Sequence, residues 1–377
     1  MQKVLTYCAV VLGLSLFSAN AGVPEISFGG YLDADVWGNM KGTYYTNSEL
    51  DLGMTMKFSD NVSAHVYATV NSAYQDPAGI IPAGGGDPAA RWMSMAFDGY
   101  DITYTSPYGT FTVGDLVYQY GKFNYYFYKR LSMITNETFV RGIKYSIGND
   151  MITQDFTAGI ADANSSTSDI QGSTSFKFGE KGGSLGVYYG VRNDATISFE
   201  DGGDIYAGAE YLGSVGEMLT LKFDLGYQGL SGLTLSGDRA NIISILFEPT
   251  LTLGNFSAAF TGFVSLNDDT LITGFDEGTM ELTTTTNAGN IFKLGDEMFF
   301  YLEPGYKFTD VISAGLPLEY HAGDMDDDDD DAIWVVPTLY VTPFENVQWW
   351  IWGQLVKPLA DGADNGYGAG SEIIVTF

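Results

Sequence analysis

Apolar and polar residues alternate along most of this chain with a period of two. In the stretch from Ser48 to Phe58, apolar residues occupy the even positions from 50 onward, and Glu49, Asp51 and Lys57 are among the residues between them. The same alternation returns in 219–228 and 312–321. Because successive side chains of a β-strand point to opposite faces, this pattern predicts strands with one apolar and one polar face. A soluble β-sandwich satisfies the pattern as well as a barrel does.

The connections between the predicted strands separate these two architectures. Short turns rich in Gly, Asn, Asp, Ser and Pro begin near residues 59, 106, 148, 179, 214, 254, 309 and 344. Longer segments lie between them, near 40–46, 75–91, 121–134, 163–168, 194–203, 229–239, 268–296, 322–331 and 357–364. Strict alternation of short and long connections is typical of a transmembrane barrel, whose adjacent strands reverse at opposite membrane surfaces. We therefore predict an all-β, antiparallel, up-and-down transmembrane β-barrel of about 18 strands, with 16 as the alternative. The segment 135–147 fits least well, because Arg141 and Lys144 fall on both faces.

The first residues have the pattern of an export signal. Lys3 precedes an apolar run from Val4 to Phe17, and Ala19-Asn20-Ala21 is a signal peptidase site. The run is shorter than the ~20 apolar residues that a spanning helix needs. We expect residues 1–21 to be a cleaved signal peptide and 22–377 to be the barrel. The single cysteine, Cys8, lies in the signal, which excludes disulfides and thiol chemistry from the exported part.

The charge balance is strongly acidic. The chain has 47 acidic and 17 basic residues, a formal net charge of −30, which excludes nucleic acid as a partner. The 47 glycines, 25 tyrosines and 24 phenylalanines are typical of barrels, which use Gly where strands curve and aromatic residues at both membrane interfaces. Composition alone leaves open whether the carboxylates cover a solvated surface or crowd loops and a lumen.

The chain ends with Ser371-Glu372-Ile373-Ile374-Val375-Thr376-Phe377, a strand pattern closed by an aromatic residue. With the export signal and the alternating connections, this ending resembles the Gram-negative outer-membrane porins, barrels of 16–18 strands. The resemblance implies a homotrimer in the outer membrane of a Gram-negative-type bacterium, in contact with outer-membrane lipid. It also implies that Phe377 is read by the barrel assembly machinery. The implied function is a water-filled channel for passive diffusion of small hydrophilic solutes and ions. The extreme net charge and the lack of a dense basic cluster depart from the family pattern.

Porins of this size narrow the lumen with their third long loop, which the resemblance places at 121–134. The predicted constriction residues are Tyr125, Tyr126, Tyr128, Lys129 and Arg130. Aromatic rings offer flat faces to sugar rings, and the two cations would oppose lumen carboxylates, so sugar selectivity is one expectation. The same residues also fit an interfacial aromatic girdle at a strand end.

Alternation assigns a set of charged residues to the lumen. The acids are Asp33, Asp35, Glu49, Asp51, Asp224 and Glu319, and the counter-charges are Lys57 and Lys222. An acidic lumen favours cations, so we predict a cation-preferring pore. The alternative is that these carboxylates are only the polar inner surface that any water-filled barrel needs.

One loop carries a run of acids: Asp326, Asp327, Asp328, Asp329, Asp330 and Asp331. Oxygen ligands suit Ca²⁺ or Mg²⁺, but the spacing lacks the Gly and the bidentate Glu of an EF-hand, and a solvated loop fits equally. No other cofactor is expected. Only His65 and His321 are available as histidine bases and neither is paired in sequence with a nucleophile, so we predict no enzyme activity. A surface adhesin or structural barrel, its lumen plugged by bulky residues such as Trp334 and Trp350, is the competing function.

Overall fold

The computed structural model describes residues 23–39, 44–75, 92–119, 137–160, 168–178, 183–193, 203–230, 240–267, 274–276, 281–283, 297–322, 325 and 331–377. The regular elements in these ranges are all β-strands. No helix in these ranges is long and apolar enough to cross a membrane.

The chain up to residue 230 supplies eleven strands. They are β1 (Glu25–Asn39), β2 (Tyr44–Ser59), β3 (Val62–Gln75), β4 (Trp92–Ser106), β5 (Gly109–Gln119), β6 (Glu137–Gly148), β7 (Ile152–Ile160), β8 (Ser168–Lys177), β9 (Ser184–Asn193), β10 (Asp204–Val215) and β11 (Leu219–Leu230).

The described residues from 240 onward supply eleven more strands. Two of these, β14 and β15, form a small separate hairpin. The eleven strands are β12 (Ala240–Leu253), β13 (Phe256–Asn267), β14 (Gly274–Asp276), β15 (Glu281–Thr283), β16 (Glu297–Lys307), β17 (Ile312–Gly315), β18 (Leu318–Ala322), β19 (Ala332–Val335), β20 (Thr338–Phe344), β21 (Val347–Pro358) and β22 (Gly366–Thr376).

The main sheet closes on itself. Strand β1 pairs antiparallel with β2 on one side and with the last strand, β22, on the other. Of the 20 strands described in this sheet, β17 with β18 and β19 with β20 are the two halves of interrupted spans, so the wall contains 18 spans. The prediction of an all-β antiparallel barrel of about 18 strands is confirmed.

The two interrupted spans are neighbours, and both breaks occur at the same level. Pro317 follows Leu316 between β17 and β18, and Pro337 follows Val336 between β19 and β20. Proline has no N–H to donate to a ladder and is disfavoured inside a sheet for that reason. Three backbone hydrogen bonds lie at the breaks: the Val336 N–H donates to the Pro317 carbonyl at 2.9 Å, the Leu316 N–H to the Pro304 carbonyl at 3.0 Å, and the Gly353 N–H to the Pro337 carbonyl at 3.1 Å.

The two faces of the wall differ as the alternation predicts. Large apolar side chains such as Phe28 (74% exposed) and Phe97 (64%) lie on the outer face, and the alternate positions point inward. Hydrocarbon exposed on this scale suits lipid as the surrounding solvent.

The short turns have local stabilising contacts. Gly216 and Gly254 have φ values of 63° and 60°, a left-handed conformation that glycine adopts without steric cost. In another turn, the Asn149 side-chain oxygen accepts hydrogen bonds from the N–H groups of Met151 (2.9 Å) and Ile152 (3.0 Å). Outside the spanning strands, the hydrogen bond from the adjacent Lys307 ammonium and its charge lower the pKa of the Asp310 carboxyl.

Candidate pore lumen

The inner face of the wall around the barrel closure is lined by carboxylates. In the register, Asp33 lies directly opposite Glu49 and Asp35 lies directly opposite Glu372. Asp51 is two positions further along β2, opposite Tyr31. Like charges directly opposite one another on neighbouring strands destabilise a sheet. The sequence therefore tolerates an electrostatic cost at this part of the wall, which we call the acidic wall (the inner faces of β22, β1, β2, β3 and β4).

Hydroxyl groups are the partners of several of these acids. The Tyr31 hydroxyl donates to Glu49 at 3.1 Å. The Thr69 hydroxyl lies between two carboxylates, 2.5 Å from an oxygen of Asp51 and 2.6 Å from an oxygen of Asp98, and its single hydrogen can be donated to either one. Hydroxyl partners leave the negative charge of an acid in place.

A β-bulge adds one more acid to this wall. The register of β3 with β4 shifts between Tyr67 and Ala68, and Asp98 is the extra residue. The shift turns the Asp98 carboxylate inward to Thr69, which alternation alone does not predict. Nearer the short turn at Asp60 and Asn61, His65 Nδ1 lies 2.7 Å from the carboxylate of Asp101.

The opposite part of the inner wall is covered by protein. We call it the covered wall, formed by the inner faces of β9 to β13 and β16. Its side chains are almost inaccessible, including Leu246 (0%), Phe299 (0%) and Phe263 (2%). The rings of Phe263 and Phe299 stack with their centroids 5.3 Å apart. In contrast, Asp33, Asp35, Glu49 and Asp51 are only half-buried, so the accessible space of the lumen adjoins the acidic wall.

Three other charged residues predicted for the lumen lie away from the acidic wall and are buried. Asp224 is fully buried on the covered wall, where the Tyr188 hydroxyl donates to it at 2.7 Å. Lys222 is also buried there, opposite Glu248 in the register. Glu319 is 6% exposed and lies between Tyr301 and Trp334.

Lys57 lies at the rim, far from the other predicted lumen charges. Its ammonium group contacts Asp60 of the adjoining turn at 2.9 Å, and its side chain is half-exposed. The structure thus brings together Asp33, Asp35, Glu49 and Asp51, and it does not bring Lys57 or Lys222 to them.

Several predicted residues lie outside the described ranges. They are the constriction residues Tyr125, Tyr126, Tyr128, Lys129 and Arg130, and five residues of the acidic run, Asp326 to Asp330. The last residue of the run, Asp331, is described: it is buried and accepts a hydrogen bond of 2.6 Å from the Tyr320 hydroxyl. Within the described part of the chain, no group of three or more His, Cys, Asp or Glu side chains is placed to hold a metal ion.

The two histidines and the terminal phenylalanine occupy separate places. His65 lies on β3 beside Asp101, whereas His321 is opposite Phe299 near the end of β18. Phe377 completes the closure, because its N–H and carbonyl both pair with Gly30 at 3.0 Å. Its ring remains 57% exposed on the outside of the barrel.

Comparison with known proteins agrees with this architecture. No family model matches the chain, and no curated protein matches its sequence. Among solved structures, the outer membrane protein OpdK of Pseudomonas aeruginosa superposes with a TM-score of 0.59 at 10% identity, over 94% of this chain and 98% of OpdK. A further structure of OpdK with vanillate gives 0.60 at the same identity and coverage.

Two further structures come from other bacteria. OccAB4 of Acinetobacter baumannii has a TM-score of 0.54 at 14% identity, and a BenF-like porin of Pseudomonas fluorescens Pf-5 has 0.58 at 10%, each over 94% of this chain and 98% of its own. OpdK is described as an outer membrane protein, and the structure from P. fluorescens is described as a porin. The resemblance to porins is thus confirmed at the level of the fold: this chain has the 18-strand barrel fold of outer-membrane porins.

Proposed function

We propose that this barrel is a diffusion channel for small hydrophilic solutes and that it prefers cations and cationic solutes. The observation that carries the proposal is the acidic wall, where Asp33 faces Glu49 and Asp35 faces Glu372. Asp33, Asp35 and Glu49 are half-buried there, and Glu372 is buried. Rings or walls of carboxylate raise the local concentration of cations and repel anions. We also propose that the outer apolar belt contacts outer-membrane lipid and that Phe377 is read by the barrel assembly machinery.

The proposed solute class differs from the molecule bound in one structural neighbour. OpdK was solved with vanillate, which is an aromatic carboxylate. An anionic solute passing the acidic wall would approach several carboxylates whose partners, at Glu49 and Asp51, are neutral hydroxyl groups. Coulomb repulsion in a narrow, low-dielectric passage disfavours that solute. We therefore expect neutral and cationic solutes, sugars among them, to pass faster than carboxylates of equal size.

A plugged barrel with an adhesive or structural role is the second candidate, and a specific observation favours it. The covered wall contains side chains with almost no accessible surface, such as Leu246 and Phe299, so much of the barrel interior is filled. The two candidates differ in one respect. In a channel the space along the acidic wall continues from one membrane surface to the other, and in a plugged barrel it does not.

Solute entry into liposomes and conductance in planar bilayers test the proposal together. Purified barrels are reconstituted, and swelling rates are compared for glucosamine, glucose and gluconate, which are similar in size but cationic, neutral and anionic. The channel proposal expects glucosamine to enter fastest and gluconate slowest, with a cation-selective reversal potential in a KCl gradient. Rates equal to those of protein-free liposomes support the plugged barrel, and faster entry of gluconate refutes cation preference.

A further inference from the structure

One ion pair lies on the outer, lipid-facing side of the wall. Asp115 of β5 is directly opposite Arg141 of β6, and both alternate with inward residues such as Leu116 and Val140, which are buried. We considered the described strand residues that lie three or more positions from a strand end. Of the charged residues among them, alternation places Asp115 and Arg141 on the outer face and the others on the inner face. Ionisable residues at membrane depth almost always face protein or water, because burying a charge in hydrocarbon is costly.

The local backbone is shaped to hold this pair. Arg141 Nε lies 2.5 Å from Asp115 Oδ1, and the Tyr100 N–H donates to Asp115 Oδ2 at 3.2 Å. Gly99 has φ of 138°, and a Cβ there would come within 2.6 Å of the Asp115 Cβ. Any larger residue at position 99 would therefore displace the carboxylate.

Within the described ranges, the Arg141 cation is less covered than the carboxylate that it contacts. The Arg141 side chain is 63% exposed, whereas that of Asp115 is 19% exposed. A guanidinium has five N–H donors, and one of them is used by Asp115. The other donors belong to a side chain that is mostly exposed on the outer face of a single barrel, where lipid tails offer no acceptor.

The depth of the pair argues against a lipid headgroup as the missing acceptor. In the ladder, the pairs two positions away on either side are Val113 with Ile143 and Val117 with Phe139, all apolar residues. The charges are thus within the apolar belt and not at its edge, and phosphates of lipid headgroups lie outside the hydrocarbon region.

We propose that this outer face of β5 and β6 docks against the same face of a second copy of this chain. The patch is self-complementary, because it contains one carboxylate and one guanidinium side by side on adjacent strands. A two-fold axis along the membrane normal, passing between β5 and β6, places each Asp115 opposite Arg141 of the other copy. Isologous contacts of this kind are the commonest in homo-oligomers. The three-copy ring that the porin resemblance implies brings different faces together, so the two arrangements are distinguishable.

Site-directed cross-linking in isolated outer membranes tests the contact. The chain has a single cysteine, in the predicted signal peptide, so Ile143→Cys introduces one thiol beside the proposed axis. A bifunctional maleimide spanning about 10 Å matches the usual spacing of two packed sheets. Ile243→Cys on β12 is the matched control, because Ile143 and Ile243 are similarly exposed at 47% and 42%. We expect a two-chain product from Ile143→Cys and monomer from Ile243→Cys.

Charge reversal adds a second readout to the Ile143→Cys protein. Asp115→Arg gives two adjacent cations and Arg141→Asp gives two adjacent anions, so each variant alone should lose the two-chain product by about tenfold or more through repulsion. Co-expression of the two variants should restore it, because each patch then meets one of opposite charge. A variant that fails the heat-modifiability test for a folded barrel is replaced by the double exchange of Asp115→Arg with Arg141→Asp, which should cross-link as the Ile143→Cys protein without charge changes does. Equal yields at both cysteine positions, a three-chain product, a product with another protein, or no product from Ile143→Cys would each overturn the proposal.

Discussion

Replacing Glu49 with Gln tests two effects of the acidic wall in one variant. The first is the loss of stability through repulsion between carboxylates, and the second is the cation selectivity of the channel. Glu49 lies directly opposite Asp33, and glutamine keeps the side-chain length and an acceptor for the Tyr31 hydroxyl. Two carboxylates about 6 Å apart repel by about 0.7 kcal/mol at the dielectric constant of water and by about 3 kcal/mol at an effective value of 20. We therefore expect Glu49→Gln to raise the free energy of unfolding by about 1 kcal/mol.

The same change should weaken cation selectivity. A monovalent cation passing about 6 Å from position 49 loses about 0.7 kcal/mol of attraction, and an anion on the same path loses about as much repulsion. The cation-to-anion permeability ratio should therefore fall about tenfold. The assays are urea unfolding in lipid vesicles followed by tryptophan fluorescence, and reversal potentials in a KCl gradient. Both effects should shrink as salt rises above about 0.1 M, where the screening length is ~10 Å.

Glu345→Gln is the matched control, because it removes one negative charge from an exposed turn away from the lumen. It should leave the permeability ratio unchanged. The reasoning is refuted if Glu49→Gln lowers the free energy of unfolding and leaves the ratio at the wild-type value, or if the control shifts the ratio equally.

Three further predictions concern assembly, the third long loop and the covered wall. Deleting Phe377 should reduce the amount of barrel in the outer membrane without reducing export to the periplasm, as measured by fractionation and blotting, and normal surface levels would contradict an assembly role. Replacing Lys129 and Arg130 with Ala should increase cation preference in reversal-potential measurements if these cations line the constriction, and an unchanged potential would remove them from it. Tyr188→Phe removes the hydroxyl group that donates to the buried Asp224 carboxylate, and it should lower the free energy of unfolding by about 1–3 kcal/mol. Urea titration measures this change, and an unchanged free energy of unfolding would contradict the assigned contact.

Much of the fold could be predicted because strand alternation and turn chemistry are local. The sequence placed a turn at Asn149 and another at Gly254, and the structure has both, since an Asx contact and a left-handed glycine need only neighbouring residues. The run from Ile312 to His321 was predicted as one alternating strand, whereas the structure interrupts it at Pro317. The alternation of inner and outer side chains was predicted correctly, but the continuous hydrogen-bond ladder was not. Proline removes a backbone donor without changing which face a side chain occupies.

The site was less predictable because it depends on which inner positions are covered. Alternation assigns Asp33 and Asp224 to the same kind of face, yet one is half-buried and the other is fully buried against Tyr188. Alternation alone missed Asp98, because a β-bulge turns this residue inward. The signal that the sequence offered for the bulge was Gly99, directly after Asp98. The poor alternation of 135–147 had a physical cause: Arg141 lies on the outer face, paired with Asp115.

The paired breaks at Pro317 and Pro337 have a consequence for the order in which the wall loosens. Neighbouring strands of a closed barrel protect one another's amide protons from exchange, and protection is lowest where ladder bonds are few. With both breaks at one level and the Val336 N–H bond to Pro317 crossing them, amides beside this seam should exchange with deuterium sooner than those at the β1–β22 closure, where the register runs without interruption from Tyr31 to Asn39. The closure that joins the two ends of the barrel is thus expected to open later than the two interrupted spans at 312–322 and 332–344.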